Sequence, residues 1–287
     1  MEFEELIRTV RKIDISDKNI YVQKLSGLYQ SKLKGDGLSF DSIRKYEIGD
    51  DVRDINWNVT ARFNEPHINT FTEDKQRLIW IIIDVSGSSI FGANKRNKID
   101  LEIEIGANLA YNAIKNGDSV GAIFFSDKVE KMIPPAKGMQ NFWLIAKTMT
   151  DIKPSGKPTN LNSALEFLIK INSKRSLAFV LSDFIDNRYA DYLKNLQQKH
   201  KLIAIKVFDK LEREFPNIGW IKLKDAETGK DQWVNTGSAK FRKSFNDRFE
   251  TADLYFKNAF SNNRLNTLLI ATDDNVEEKL LNFIIVR

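Results

Sequence analysis

The chain has 287 residues, of which 42% are hydrophobic and 29% charged, and this suits one large soluble domain or one domain with an appendage. Cysteine is absent, so disulfides, thiolate zinc sites and cysteine nucleophiles are excluded, and a cytoplasmic location is expected. The net charge of +5 arises from basic and acidic residues interspersed along the chain, which favours a mixed, solvated surface over a nucleic-acid-binding stripe. The acidic start, Met1 to Glu5, is unlike a secretory signal, and no apolar run approaches the ~20 residues that span a bilayer, so we expect no membrane span.

The first 77 residues are polar and irregular in pattern. Phe3, Leu6, Ile7 and Val10 recur at helical spacing and predict a short amphipathic helix. Residues 56–71 have the Thr- and aromatic-bearing character of strands, with a turn at 64–66. We expect residues 1–77 to form an N-terminal segment packed on a main domain of residues 78–287.

From residue 78 onward, strand patterns alternate with helical patterns. Continuous apolar runs predict buried strands at 78–83, 120–125, 177–181 and 202–208, and an alternating pattern predicts an edge strand at 128–133. Helical patterns fall at 99–114, 142–149, 161–171 and 189–198. A hairpin (220–234), a long polar helix (238–260), an apolar strand (265–271) and a last helix follow. This order predicts a doubly wound, mostly parallel α/β sheet with helices on both faces and a C-terminal extension.

Polar side chains stand directly after two of the buried runs. In an open parallel sheet, ligands bind beyond the carboxyl ends of the strands, so these residues are the first candidates for a site. Asp84, Ser86 and Ser88 follow the first run, Asp183 follows the third, and Thr159 lies in a Gly- and Pro-containing loop before a helix. All are hard oxygen donors, which suit Mg²⁺ or Mn²⁺. Because only two of them are acids, a carboxylate from a protein partner is expected to complete the shell of the ion.

Several of these residues also have ordinary structural interpretations. Asp84, Ser86 and Ser88 are of the types that cap a following helix. Lys98, with its basic neighbours near the first loop, is expected to be an exposed charge. His67 and His200 lie in polar surroundings and are expected to face solvent.

The ordered set of Asp-x-Ser-x-Ser, then Thr, then Asp resembles the metal-ion-dependent adhesion site of von Willebrand factor type A domains. The resemblance implies that Ser86, Ser88 and Thr159 bind the ion through their hydroxyls, and that Asp84 and Asp183 bind it directly or through water. It also implies a module that grips protein partners and catalyses no reaction.

A second resemblance covers nearly the whole chain. Residues 44–57 with 61–62, and later 225–229, are similar to hallmark segments of the bacterial domain-of-unknown-function 58 family. That family couples the first segment to an A-type domain and is often encoded beside MoxR-type AAA+ ATPases, which implies such an ATPase as a partner in chaperone-like assembly. Family members usually have Asp and Ser where this chain has Asn56 and Thr60. For the first segment we favour a buried salt-bridge network that joins the N-terminal segment to the sheet over the alternative of a partner-binding site. Its members are Arg44, Tyr46, Gly49, Asp50, Asp51, Arg53, Trp57 and Arg62.

Two other functions were weighed against this interpretation. A metal-dependent hydrolase is suggested by Asp84, which stands where haloacid-dehalogenase phosphatases carry their nucleophile, but those enzymes need a second aspartate where this chain has Ser86. The sequence also has no P-loop and no Gly-x-Ser-x-Gly elbow, so we expect no enzymatic activity. A nucleic-acid-associated A-type domain is the other alternative, and the missing Lys/Arg stripe argues against it.

Overall fold

A computed structural model describes residues 1–12, 38–73, 77–90, 96–171, 174–186, 188–213, 216–224 and 231–285. The segment at 225–229 that resembles a family hallmark lies outside them. The described residues form two compact units: residues 38–73 make up the smaller one and the rest the larger one. Within the described ranges, every helix is too short or too polar to cross a bilayer.

The helices and strands follow in chain order. They are α1 (Phe3–Lys12), β1 (Leu38–Lys45), α2 (Trp57–Phe63), β2 (His67–Glu73), β3 (Leu78–Asp84), α3 (Lys98–Lys115), β4 (Ser119–Phe125), β5 (Val129–Ala136), α4 (Met139–Asp151), α5 (Leu161–Ile171), β6 (Ser176–Ser182), α6 (Ala190–Gln197), β7 (His200–Phe208), α7 (Lys210–Arg213), β8 (Trp220–Lys224), β9 (Asp231–Asn235), α8 (Ala239–Asn262), β10 (Asn266–Ala271) and α9 (Val276–Ile285).

The larger unit is built on a six-stranded sheet of order β10-β7-β6-β3-β4-β5. All neighbours pair in parallel except β5, which runs antiparallel to β4 at the edge. Side chains alternate between the two faces of a strand, and in β3 both sets are apolar, so both faces of the sheet need a cover. Helices α1, α3, α4 and α9 contribute to the core on one face, and α5, α6 and α8 to the core on the other. The predicted α/β fold with a mostly parallel sheet between helices is therefore confirmed.

The first helix belongs to the core of the larger unit. Leu6 and Val10 of α1 are fully buried there, in the same cluster as residues of α3 and β3. The ammonium group of Met1 adds an ion pair of 2.7 Å with Asp100 on α3. The amphipathic helix predicted from the spacing of apolar residues is thus present, and its apolar side is its buried side.

The smaller unit consists of an antiparallel pair, β1 and β2, with α2 between them in sequence. The prediction of strands across residues 56–71 is wrong in its first half, because residues 57–63 are helical. The side chain of Asn56 accepts a hydrogen bond from the backbone N–H of Val59 and so begins this helix. Asn64, with φ of +55°, ends it in the left-handed conformation that asparagine tolerates. These local caps prevail over the strand preference of the Thr and aromatic residues between them.

Candidate metal centre

The five residues expected to form a metal site meet beyond the carboxyl ends of two adjacent parallel strands, β3 and β6. Asp84 ends β3, Asp183 follows β6, and Thr159 lies just before α5. Ser86 and Ser88 lie in the turn after β3, where residues 87–90 form a short 3-10 helix. The chain leaves β3 for β4 on one side and returns to β6 on the other, so the residues sit where the strand order reverses. Open α/β sheets bind their ligands at such a point.

Three hydroxyl groups converge at this point from two loops. The Thr159 hydroxyl donates to Ser86 Oγ at 2.7 Å, and Ser86 Oγ lies 3.0 Å from Ser88 Oγ. Ser88 Oγ and Thr159 Oγ1 are 3.4 Å apart. Backbone hydrogen bonds join the two loops, from Gly87 N to Lys157 O and from Ser155 N to Val85 O, each at 2.9 Å. The backbone thus holds Thr159 against the serines, and a small group of oxygen donors results.

The Asp84 carboxylate is fully buried beneath these hydroxyls. Its Oδ1 accepts from the backbone N–H of Ser86 at 2.9 Å, and its Oδ2 accepts from the Ser182 hydroxyl at 2.7 Å. Burial, and then the negative charge of Asp183, raise the pKa of Asp84 to about 7. A cation at this point would relieve the repulsion between the two carboxylates. These hydrogen bonds fix the orientation of both Asp84 oxygens. A fixed orientation suits a carboxylate that binds a metal ion directly or through a water molecule.

Lys98 lies in the site, and the expectation that it is an exposed charge is wrong. This first residue of α3 is fully buried, and its Nζ donates to Asp183 Oδ2 at 2.8 Å and to Glu212 Oε1 at 2.6 Å. Burial alone would raise the pKa of Asp183, but the charge and hydrogen bond of Lys98, with a hydrogen bond from Ser88, hold it below its usual value. Asp183 is therefore the ionised member of the pair it forms with Asp84.

Glu102, one turn further along α3, brings another buried carboxyl group close to this cluster. Burial, and then the charges of Asp84 and Asp183, raise its pKa well above the usual value. Neither of its carboxyl oxygens has a hydrogen-bond partner among the described residues.

Sequence reasoning missed Lys98, Glu102 and Glu212. One signal was available, because a lysine at the first position of a helix is opposed by the helix dipole and calls for an acidic partner. Glu102 carried a misleading signal: a Lys and a Glu four residues apart are typical of a solvated helix surface.

The donors that meet here fit a hard cation. Within the described ranges, no group of three or more His, Asp or Glu side chains is placed to hold a metal ion, so a site here has to depend on the hydroxyls. Two carboxylates and three hydroxyls are oxygen donors of the kind that Mg²⁺ and Mn²⁺ accept.

Of the two histidines, His200 lies in the larger unit and His67 in the smaller one. His200 begins β7, at the amino end of the strand and so at the opposite end of the sheet from Asp84 and Asp183. The expectation that it faces solvent is wrong: only 2% of it is exposed, and its Nδ1 lies 2.8 Å from Ser176 Oγ. Burial, and then the charge of Lys199, lower its pKa. His67 is half-buried in β2 of the smaller unit.

The hallmark segment forms ion pairs within the smaller unit. Arg44 binds Asp50 through two hydrogen bonds of 2.7 and 2.8 Å. Arg53 pairs with Asp51 at 2.7 Å, and this hydrogen-bonded pair lowers the pKa of Asp51 to about 2. Within the smaller unit both pairs are hydrogen-bonded at its surface. The remaining members lie in α2 and in the segment between β1 and α2: Tyr46, Gly49 with φ of +113°, Trp57, which is 69% exposed, and Arg62. That the segment joins the two parts of the chain stays a prediction.

The fold and the cluster define an α/β protein with oxygen donors at the switch point of a parallel sheet. The family model described as "Protein of unknown function DUF58" matches residues 42–254, and the chain belongs to this family. Uncharacterized proteins of Mycobacterium tuberculosis and Mycobacterium bovis are each 28% identical to it over 228 residues, which cover 78% of this chain and 72% of the relative.

Two solved structures have a distant likeness to the chain. One is the conserved hypothetical protein BatB from Bacteroides thetaiotaomicron, with a TM-score of 0.47, 12% identity, and coverage of 72% of this chain and 97% of that one. The other is the pilus adhesin SpaC from Lactobacillus rhamnosus GG, with a TM-score of 0.47, 12% identity, and coverage of 74% of this chain and 30% of that one.

Proposed function

We propose that the larger unit is a von Willebrand factor A-like domain that binds Mg²⁺ or Mn²⁺ and uses the ion to hold a carboxylate of a protein partner. The residues that would hold the ion are Ser86, Ser88, Thr159, Asp84 and Asp183. The observation that carries the proposal is the convergence of three hydroxyl oxygens, all within 3.4 Å of one another, beside two buried carboxylates. Structural caps alone would not require hydroxyls from two distant loops to face each other.

The need for a partner follows from the number of donors. Mg²⁺ takes six ligands in a nearly octahedral shell, and this cluster offers one oxygen from each of five side chains. The sixth position is left for water or for an incoming oxygen, and an acidic side chain is the charged donor that suits the ion. The ion would then supply a bond between two proteins.

The nature of the partner rests on the family. Because family resemblance links these proteins to MoxR-type AAA+ ATPases, we propose such an ATPase as the partner, in a chaperone-like assembly role in the cytoplasm. The carboxylate that completes the shell of the ion would then belong to an Asp or Glu of the ATPase or of its client.

Two observations weigh against the rival functions. Lys157, in the loop that carries Thr159, pairs with Glu130 at 3.0 Å and with Asp127 at 3.3 Å, so this rim is neutralised and does not form a basic path for nucleic acid. A hydrolase with a histidine base is disfavoured because His200 lies at the far end of the sheet. We therefore propose a binding module and not an enzyme.

The experiment that tests the site is Mg²⁺-dependent thermal stabilisation. An ion that binds only the folded chain stabilises it by ~2.7 kcal/mol at one hundred times its dissociation constant. Asp84→Asn, which keeps the shape of the side chain, and Thr159→Ala should lose this stabilisation. Ser163→Ala is the matched control, because the Ser163 hydroxyl donates to the backbone oxygen of Asn160 at 2.8 Å and not to a hydroxyl or carboxylate of the cluster. If Asp84→Asn responds to Mg²⁺ as the parent does, the ion binds elsewhere and the proposal is wrong.

A further inference from the structure

We infer that Lys98 is the residue that sets the ion preference of the centre, by covering one oxygen of the Asp183 carboxylate and so favouring Mg²⁺ over Ca²⁺. This inference rests on the proposed function, since it concerns the same centre. It starts from one contact: the ammonium of Lys98 lies 2.8 Å from Asp183 Oδ2, on the carboxylate expected to bind the ion.

The position of Lys98 is fixed from two sides. Its Nζ also lies 2.6 Å from Oε1 of Glu212, whose other oxygen, Oε2, accepts from the backbone N–H of Asp209 at 3.0 Å. The lysine side chain is fully buried, so its ammonium cannot turn to solvent without opening the core. Glu212 on α7 therefore acts as a positioning residue for Lys98, and Asp183 Oδ2 stays covered.

The contact between Lys98 and Asp183 affects ion selectivity because Mg²⁺ and Ca²⁺ bind carboxylates differently. Ca²⁺ takes six to eight oxygens and accepts carboxylates in bidentate fashion, whereas Mg²⁺ requires a small octahedral shell with one oxygen from each ligand. The ammonium of Lys98 binds Oδ2 of Asp183 at 2.8 Å, whereas Oδ1 accepts only a longer bond of 3.3 Å from the backbone N–H of Ile185, so Oδ1 is the oxygen that Asp183 would present to an ion. With Oδ2 covered by an ammonium, Asp183 would bind an ion through one oxygen, which suits the small shell of Mg²⁺ and denies Ca²⁺ a bidentate ligand. The positive charge of Lys98 also lowers the affinity for any cation.

The experiment measures the dissociation constants of Mg²⁺ and Ca²⁺ for the full chain by calorimetry or thermal shift. The parent should bind Mg²⁺ more tightly than Ca²⁺. Lys98→Met, which frees Oδ2 and removes the charge, should tighten Ca²⁺ binding at least tenfold relative to Mg²⁺. Lys98→Gln, which loses the charge but keeps an N–H donor for Oδ2, should tighten both ions with little change in their ratio.

Two further variants separate this effect from damage to the fold. Lys98→Met combined with Glu212→Gln avoids leaving a buried charge without a partner and should show the same change in ratio. Lys206→Met is the matched control: Lys206 is another fully buried lysine, but it pairs with Asp253 at 2.8 Å and acts on Asp183 through its charge alone, so the variant removes a positive charge and leaves Asp183 Oδ2 covered. Its Mg²⁺ to Ca²⁺ ratio should stay that of the parent.

The outcomes are distinguishable. Parent protein that binds Ca²⁺ at least as tightly as Mg²⁺ overturns the inference even if the Lys98→Met variants do not fold. An unchanged ratio in the folded double variant, or equal shifts in the Lys206→Met control, also overturns it while the metal centre stands. Parent protein that binds neither ion removes the proposed function and this inference together.

Discussion

Asn56 illustrates how one side chain determines the local structure of the smaller unit. Its Oδ1 accepts from the backbone N–H of Val59 at 3.1 Å, and its Nδ2 donates to Asn69 Oδ1 at 2.8 Å, so it both begins α2 and ties that helix to β2. The Thr60 hydroxyl makes a parallel link, because it accepts from the backbone N–H of His67 at 3.0 Å. These are the two positions where the family usually has Asp and Ser. Asn and Asp can both cap a helix at position 56, and Thr and Ser can both supply a hydroxyl acceptor at position 60. Neither role therefore needs a charge at position 56.

We expect Asn56→Ala to destabilise α2 by about 1 kcal/mol, the usual cost of losing such a cap. Asn56→Asp keeps an acceptor at the helix start, where the dipole favours a negative charge, and should cost less. Hydrogen exchange of the amides of residues 57–63 measures this: it should speed up several-fold in Asn56→Ala and stay near the parent rate in Asn56→Asp. Equal acceleration in both variants would show that the bond to Asn69, and not the cap, holds the helix.

At the scale of elements, Asp118 sits at the turn that joins α3 to β4. It follows Gly117, whose φ is +86°, and its Oδ1 accepts from the backbone N–H of Arg77 at the start of β3. The side chain thus links the beginnings of the two central strands. Burial raises its pKa to about 6 although the charge of Arg77 lowers it.

This raised pKa gives a pH dependence whose sign is defined. Because the folded-state pKa of about 6 exceeds the ordinary value of 3.8, ionisation of Asp118 opposes folding. The free energy of unfolding that this group contributes is highest below pH 4, falls as the pH rises from 4 to 6, and is constant above. Asp118→Asn keeps the acceptor for Arg77 N–H but cannot ionise. Its stability relative to the parent should therefore rise by about 2 kcal/mol between pH 4 and pH 7.

Urea unfolding of both proteins across that pH range measures the difference. The comparison cancels every other titrating group, since only residue 118 differs. A difference in unfolding free energy that stays constant from pH 4 to pH 7 would contradict the raised pKa.

How much of the structure can be predicted from the sequence differs from one element to another. The strands and helices of the larger unit were predictable because their patterns extend over many residues. The apolar run in β3 and the helical spacing in α5 are examples. Helix α2 was not predictable, because it is short and its start depends on one cap. The hydroxyls and carboxylates of the centre were predictable from their order after the strands. The contact between Lys98 and Glu212 was not predictable, because these residues are 114 positions apart in sequence and come together only in the folded chain.

At the scale of the whole molecule, the sheet of the larger unit separates two cores, and the loops that follow β3 and precede α5 meet at its carboxyl edge. That edge carries the proposed centre. An experiment can therefore distinguish the proposed protein partner, held through the ion, from the rival nucleic-acid partner. A protein held through one ion and its surrounding contacts depends on the metal and only moderately on salt. A nucleic acid held by six to ten phosphate contacts loses ~10³–10⁵-fold in affinity between 50 and 200 mM salt, and the loop with Thr159 would hardly matter.

Capture from a lysate on the immobilised chain, with nuclease present and across that salt series, distinguishes them. We expect an AAA+ ATPase, identified by mass spectrometry, to be retained in Mg²⁺ and released by EDTA. The Thr159→Ala chain should fail to retain it, and the Ser163→Ala chain should retain it as the parent does, because only the first hydroxyl lies in the cluster. Material that is lost with nuclease, is indifferent to EDTA and binds Thr159→Ala as well as the parent would mean that the hydroxyl cluster does not recruit partners, even though the parallel sheet and its helices remain as described.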